Sequence, residues 1–404
     1  MQTKIHKRWN KIPAVQEAET ILRSCVHCGF CTATCPTYQE LSDERDGPRG
    51  RIYLIKQFLE TGTLTERSRR HLDRCLACRS CETTCPSGVR YGRLLDIGRA
   101  LAEQTLPRGW LARAQRYLLR TIVPKPKRFR TLLRVAHLFK PVLPKSLQKQ
   151  VPPLVSANTW PAQRHNRVML VLQGCVQSVS SPQTNEAATR VLDRLGISLV
   201  VAPDAGCCGA LTHHLSHEQS TLLAIRQNID AWWPAVEAGA EAIVVTASGC
   251  GVTVKEYGKL LAADPQYAEK AACVSAIAKD IAEVIACEDV NSLAVKLPKK
   301  TALHCPCSLQ HGQKLPDIVE QLALRMGANL AKTQEKHLCC GSAGSYSLLQ
   351  PELSERLLTR KLAALAADNP EQIVTANIGC QLHLGAHADV PVKHWIEWLD
   401  EALS

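Results

Sequence analysis

The stretches CVHCGFCTATCP at residues 25–36 and CLACRSCETTCP at residues 75–86 decide how this chain is read. Both follow Cys-x2-Cys-x2-Cys-x3-Cys-Pro, and together they hold eight of the 19 cysteines. The N-terminal MQTKIHKRWNK is basic with no apolar run behind it, so it is no secretory signal. No stretch approaches the roughly eighteen apolar residues of a membrane span. The expected place is therefore the cytoplasm, where thiols stay reduced and cysteines are read as metal ligands or redox groups. Structural zinc prefers paired Cys-x2-Cys units around one tetrahedral ion. Two complete copies of the longer spacing point instead to two [4Fe–4S] clusters.

This is the spacing of bacterial two-cluster ferredoxins, in which the fourth cysteine serves the other cluster. Three closely spaced thiolates wrap three irons of one cube, and the proline turns the chain away before the fourth. The reading assigns Cys25, Cys28, Cys31 and Cys85 to one cluster, and Cys75, Cys78, Cys81 and Cys35 to the other. The 39 residues between the motifs carry Ile52, Ile55, Phe58 and Leu59 at helical spacing. An α-helical ferredoxin-type domain over residues 1–103 is expected. Arg49 and Arg51 are candidates to balance cluster charge.

Downstream lies a duplication. Cys175, Cys207 and Cys208 recur 132 positions later as Cys307, Cys339 and Cys340, and Cys250 recurs as Cys380. The flanks repeat too, GCCGA answering CCGSAG and IVVTASGCG answering IVTANIGC, with Arg194–Gly196 and Arg325–Gly327 closing a helix in each copy. Apolar strands such as RVMLVLQG, ISLVVA and TALHC alternate with helical stretches, which predicts parallel βαβ units with each repeated cysteine just after a strand. The fold class expected is thus the ferredoxin-type domain followed by a duplicated α/β domain, copies at 166–290 and 300–404. Cys175, Cys207, Cys208 and Cys250, and Cys307, Cys339, Cys340 and Cys380, are candidates for a further iron–sulfur cluster or a zinc ion. Cys305 has no assignment; Cys273 and Cys287 are expected to be plain buried residues.

Between them, residues 104–165 form a basic connector punctuated by prolines, without an acidic residue from Gln104 to Asn185. Two helical patterns lie in it: Trp110, Leu111, Leu118 and Ile122, then Leu132, Leu133, Val135, Leu138 and Phe139. Much of the net charge of +12 sits here. Arg113, Arg116 and Arg120 are candidates for contact with an anionic membrane or a partner. No aromatic-interleaved or helix-turn-helix pattern accompanies the charge, so nucleic acid is not expected.

Two cubane motifs followed by two CCG domains resemble the iron–sulfur subunits of membrane-linked 2-hydroxyacid dehydrogenases, and most closely the glycolate oxidase (glycolate dehydrogenase) iron–sulfur subunits. CVHCGFCTATCPTYQ, DGPRGRIYLIKQ, HLDRCLACRSCETTCPSGVRY, NIDAWWPA, TASGCG, HLCCGSAGSY and VTANIGCQ carry the likeness over essentially the whole chain. It implies a complex with FAD-containing subunits, not FAD on this chain, that oxidises glycolate to glyoxylate and D-lactate as well. It also implies peripheral attachment to the cytoplasmic face of the inner membrane and a quinone or other membrane acceptor. Analogous D-lactate or glycerol-3-phosphate dehydrogenase subunits are the alternative. The CCG domains are also similar to those of heterodisulfide reductase, whose signature ends in CxxC. Here Thr253 and His383 stand where that last cysteine would be, which argues against a disulfide-reducing enzyme. No nucleotide fingerprint or catalytic triad is present, so electron transfer is expected with no catalytic residue on this chain.

Overall fold

Ile52, Ile55, Phe58 and Leu59 form the buried side of a helix, Pro48–Thr61, which opens on a proline and ends where Gly62 turns left-handed (φ 72°). The computed structural model describes residues 1–142, 144, 148, 151–155 and 160–403; the remainder of the connector lies outside the described residues. Helices Pro13–Ser24, Glu66–Asp73 and Tyr91–Thr105 pack around Pro48–Thr61 over a core of Trp9, Leu22, Leu72, Leu94 and Leu95. Among the described residues no strand precedes Arg167, so the motif-bearing region is helical throughout.

The connector's two apolar patterns become helices Trp110–Ile122 and Pro126–Phe139. Pro126 occupies the first turn of the second, where its missing N–H costs nothing. Phe129 and Leu133 anchor this hairpin on Val179. Its outer side leaves Trp110, Leu111, Tyr117, Leu118, Leu138 and Phe139 exposed.

The two repeats build separate parallel sheets over a shared core. Strands β1 (Arg167–Val171), β2 (Ile197–Val201), β3 (Ile243–Val245) and β4 (Ala278–Asp280) run in the order β2-β1-β3-β4. Strands β5 (Thr301–His304), β6 (Gln372–Thr375) and β7 (Val392–His394) run in the order β5-β6-β7. Met169, Val171 and Val244 of the first meet Leu303, Val374, Trp395 and Trp398 of the second in one apolar cluster. Helices Gln183–Arg194 and Ile318–Arg325 close on Gly196 and Gly327, at φ 77° and 73°.

Two expectations need correction. Cys339 and Cys340 follow no strand: the counterpart of β2 shrinks to a single bridge between Thr301 and Leu330. The segment ANLAKTQEKHL lacks the continuous branched apolar run of ISLVV that makes β2. Cys287 is exposed and Cys273 half-buried; Cys287 caps the end of helix Ile281–Ala286, where the chain leaves the core.

The helical region is clamped onto both repeats. Arg79 donates to Glu256 through both terminal nitrogens (2.6 and 2.9 Å), and His213 meets Asp96 at 3.2 Å. The Tyr346 hydroxyl donates to the Arg74 carbonyl (3.0 Å) and Thr83 contacts His311 (3.0 Å).

Candidate metal centres

The two motif loops bend alike. His27 and Gly29 in the first, Ala77 and Arg79 in the second, take left-handed backbone at matching places. That turn curls each loop so that successive thiols face one space. At Gly29 (φ 86°) an added Cβ would lie 2.9 Å from the Arg49 guanidinium. In the second loop the same slot carries Arg79 at φ 62°, a strained placement held by the paired bonds to Glu256.

Two cavities result, and all eight motif thiols line them. One, with about 430 Å³ of open space, is walled by Cys25, Cys28, Cys31 and Cys85. The other, of about 290 Å³, is walled by Cys35, Cys75 and Cys78. Cys81 and Tyr91 border both. Thus each fourth cysteine lies with the three of the other motif. No disulfide joins any of the cysteines. The donor set fits two cubes: four soft sulfur donors to each cavity, in largely apolar walls that disfavour bare thiolates. Burial, with Cys25 and Cys28 alongside, pushes the Cys31 thiol up to about 11, and burial drives Cys78 and Cys81 upward too. Such thiols keep their protons until a cation replaces them.

Polar groups converge on the sulfurs. The amides of Ala77 and Val89 donate to Cys75 and Cys85 Sγ, both at 3.4 Å, and the Tyr91 hydroxyl donates to Cys75 Sγ at 3.6 Å. Of the two arginines named from the sequence, Arg49 stays half-exposed on Glu44, whereas Arg51 is fully buried. Arg51 donates to the His71 carbonyl (2.7 Å), Thr37 Oγ1 (3.1 Å) and Asp46 Oδ1 (3.4 Å). Burial opposes its charge, but Cys75, Tyr91, Cys35 and Asp46 around it raise its pKa on balance. No sequence signal points to the Tyr91 contact, since a tyrosine six residues after a cysteine carries no spacing signature.

In the repeats the thiols also gather. Cys175 and Cys207 Sγ lie 3.5 Å apart, Cys307 and Cys339 Sγ 3.8 Å apart. Cys208 faces Cys250 in the first copy, and Cys340 faces Cys380 in the second, all as free thiols. Cys78 packs in one apolar cluster with Cys307 and Cys339, so the second cavity adjoins repeat 2. His383, which replaces the CxxC cysteine, is turned to Ser354 Oγ (3.2 Å). His304, which sequence reading passed over, lies with Cys340 and Cys380, all three donor atoms within 4.8 Å. Aligning the repeats would have flagged it, because Leu172 holds the matching place.

Of the connector arginines, Arg113 is exposed and Arg120 lies over Tyr117 (5.4 Å), but Arg116 turns inward towards Asp73 (3.8 Å). A third cavity, about 540 Å³, opens there between Cys75, Leu76, Arg99, Arg108, Arg116, His214 and Tyr346. Among the described residues no helix is long and apolar enough to cross a membrane.

Family models agree with this layout. A 4Fe-4S dicluster domain matches residues 21–89, and a Cysteine-rich domain (CCG) matches residues 169–255 and 301–385. The glycolate oxidase iron–sulfur subunit of Escherichia coli (strain K12) is 53% identical over 404 residues, covering 100% of this chain and 99% of its own length. The probable glycolate oxidase iron–sulfur subunit of Bacillus subtilis (strain 168) is 32% identical, covering 90% of this chain and 88% of its own. The lactate utilization protein A of Shouchella clausii (strain KSM-K16) is 23% identical over 54% of this chain and 93% of its own length. With both cubane motifs, both cysteine-rich repeats and full-length similarity in place, the chain belongs to the glycolate oxidase iron–sulfur subunit family.

Proposed function

We propose that this chain is the electron-carrying subunit of a flavin-dependent complex that oxidises glycolate to glyoxylate, with D-lactate as a second substrate. The observation that carries this reading is the gathering of eight motif thiols around two adjoining cavities, in a chain that resembles glycolate oxidase iron–sulfur subunits along its whole length. In it, Cys25, Cys28, Cys31 and Cys85 hold one [4Fe–4S] cluster, and Cys75, Cys78, Cys81 and Cys35 the other. The clusters supply one-electron chemistry. The chain's own residues hold their sulfurs, exclude water and set the surrounding charge.

The two ends of the route look different. Cys28 is exposed, with Val26 and Phe30 open beside it, which suits docking of the FAD-bearing partner. Beyond Cys75, the cavity walled by Arg99, Arg108, Arg116, His214 and Tyr346 suits a membrane acceptor of the quinone class. The same helix that lends Arg116 to this wall exposes Trp110, Leu111 and Leu118 on its other side. An amphipathic hairpin with Arg113, Lys125, Lys127 and Arg128 around such a face lies well in the interface of an anionic bilayer. We therefore place the chain peripherally on the cytoplasmic face of the inner membrane. Residues 1–103, 104–165, 166–290 and 300–404 serve in turn as cluster domain, membrane-facing connector and two cysteine-rich repeats.

The test is the native complex captured anaerobically with this chain as bait, assayed for flavin and for dye reduction. Flavin with glycolate-driven reduction is the expected result. Preference for glycerol 3-phosphate would change the donor, and a flavin-free, inactive complex would overturn the reading.

A further inference from the structure

Repeat 2 differs from repeat 1 at one buried position that its cysteines surround. His304 ends β5 and is 1% exposed; 132 positions earlier stands Leu172, 2% exposed. A leucine needs no polar partner there, but an imidazole does. Neither Nδ1 nor Nε2 of His304 has a hydrogen-bond partner. Buried polar groups in folded proteins are paired as a rule, and an orphan calls for an explanation.

The surroundings supply one. The Sγ atoms of Cys340 and Cys380 and a ring nitrogen of His304 all lie within 4.8 Å of one another, and all three residues are buried. Around one tetrahedral ion with metal–sulfur bonds of about 2.3 Å, two thiolates sit roughly 3.8 Å apart. A cubane cluster instead spreads its ligands over separate irons and so sets its thiolates wider apart than a single ion does. We propose that repeat 2 binds a single borderline-soft divalent metal ion of the zinc class through His304, Cys340 and Cys380, and that repeat 1 lacks this site because Leu172 replaces the histidine.

The supporting groups fit. Asn377 Nδ2 donates to Cys380 Sγ (3.6 Å), holding the thiolate as outer-shell donors do. The donors come from the end of β5, the CCG loop and the helix Ile378–Gly385 that follows β6. This places the site outside the carboxyl ends of two neighbouring parallel strands, where open α/β sheets bind ligands. Lys361 Nζ, buried in the same region, donates to the carbonyls of Glu335 (3.0 Å) and Lys336 (3.4 Å) and so is no competing ligand. Among the described residues no fourth His, Cys, Asp or Glu offers a donor atom within 4.8 Å of all three, and Cys339, which contacts Cys340, is the next thiol along.

The full chain, purified anaerobically, is assayed for zinc and iron by elemental analysis and, after metal exchange, with cobalt(II) as an optical probe. The expected result is about one zinc per chain, and a cobalt spectrum with thiolate charge-transfer bands. His304→Leu, which installs the side chain repeat 1 already buries, should cut zinc at least tenfold and abolish those bands while leaving iron unchanged. Should that variant fail to fold, Cys380→Ser is read in the same way, with the iron content as folding control. Zinc-free wild type that takes up no cobalt, or zinc retained in a folded variant, would overturn the proposal. Iron lost in place of zinc would put a cluster there instead. Loss of the N-terminal iron alone would contradict the electron-transfer reading and leave this site standing.

Discussion

Cys75 receives hydrogen bonds from the Ala77 amide and the Tyr91 hydroxyl, and donors to cluster sulfurs stabilise the more negative, reduced state. Removing one donor should therefore lower the potential of the cluster proposed at Cys75. A loss of about 1.4 kcal/mol in the reduced state corresponds to about 59 mV for one electron. Tyr91→Phe is expected to shift one of two midpoints down by tens of millivolts in an EPR-monitored titration; two unmoved midpoints would show the contact is idle. Arg51 sets a second expectation. Asp46, wholly buried, takes bonds from Arg51 and Arg74, with His71 Nδ1 3.0 Å from it. Arg51→Met strips the buried partner and should cost about 3–5 kcal/mol, read by thermal unfolding and lost iron. Arg51→Lys keeps the charge without the fork and should fall between the two. The grouping of the motif cysteines was legible in the sequence because their spacing lies within two short loops, and the structure gathers them around two cavities. Tyr91 and His304 were not, because they reach the sulfurs through tertiary packing that no local spacing encodes; Arg51 was named from the sequence, but its burial on Asp46 and the His71 carbonyl was not.

At the scale of elements, periodicity was a good guide wherever one face had to be buried. Pro48–Thr61 and the strands β1 and β2 follow their apolar patterns. It failed where the second copy had drifted: the partner of β2 kept its place but not its branched residues, and only the Leu330 bridge remains. Proline density in residues 104–165 marked connecting chain, and the two helical patterns read inside it stand as helices of 13 and 14 residues because the prolines fall at their ends. Those helices carry the membrane expectation. Leu118→Glu with Leu138→Glu should abolish co-sedimentation with vesicles of anionic lipid and leave cluster content intact. High salt should weaken wild-type binding by screening its basic residues. Binding that is unaffected by both treatments would assign attachment to another surface.

Across the whole molecule, polar links hold the cluster domain against the repeats, and one of them titrates. Burial works to lower the His213 pKa, but the Asp96 carboxylate outweighs it and the value is raised. Burial likewise opposes the Asp96 charge, and His213, His214 and Arg79 still bring that carboxyl down to about 2. The histidine's contribution to docking is thus fully present below its ordinary pKa, near 6.5, and fades as pH rises through the raised value. The aspartate's contribution is present above about 4 and fades towards pH 2. Amide exchange at helices Tyr91–Thr105 and Ala210–His214 should accelerate beyond its intrinsic pH dependence above neutrality, and His213→Asn should remove that excess. The joint matters because Cys78 meets Cys307 and Cys339 across it, so the cluster domain's far side reaches repeat 2.

Whether the eight N-terminal thiolates hold two cubane clusters is decided by counting iron and acid-labile sulfide in the anaerobically purified chain, alone and as Cys25→Ser and Cys75→Ser. About eight irons and eight sulfides per chain, with one cluster's EPR signal lost or altered in each variant, is the predicted result. Zinc in place of iron, or about four irons in the wild type, would contradict it.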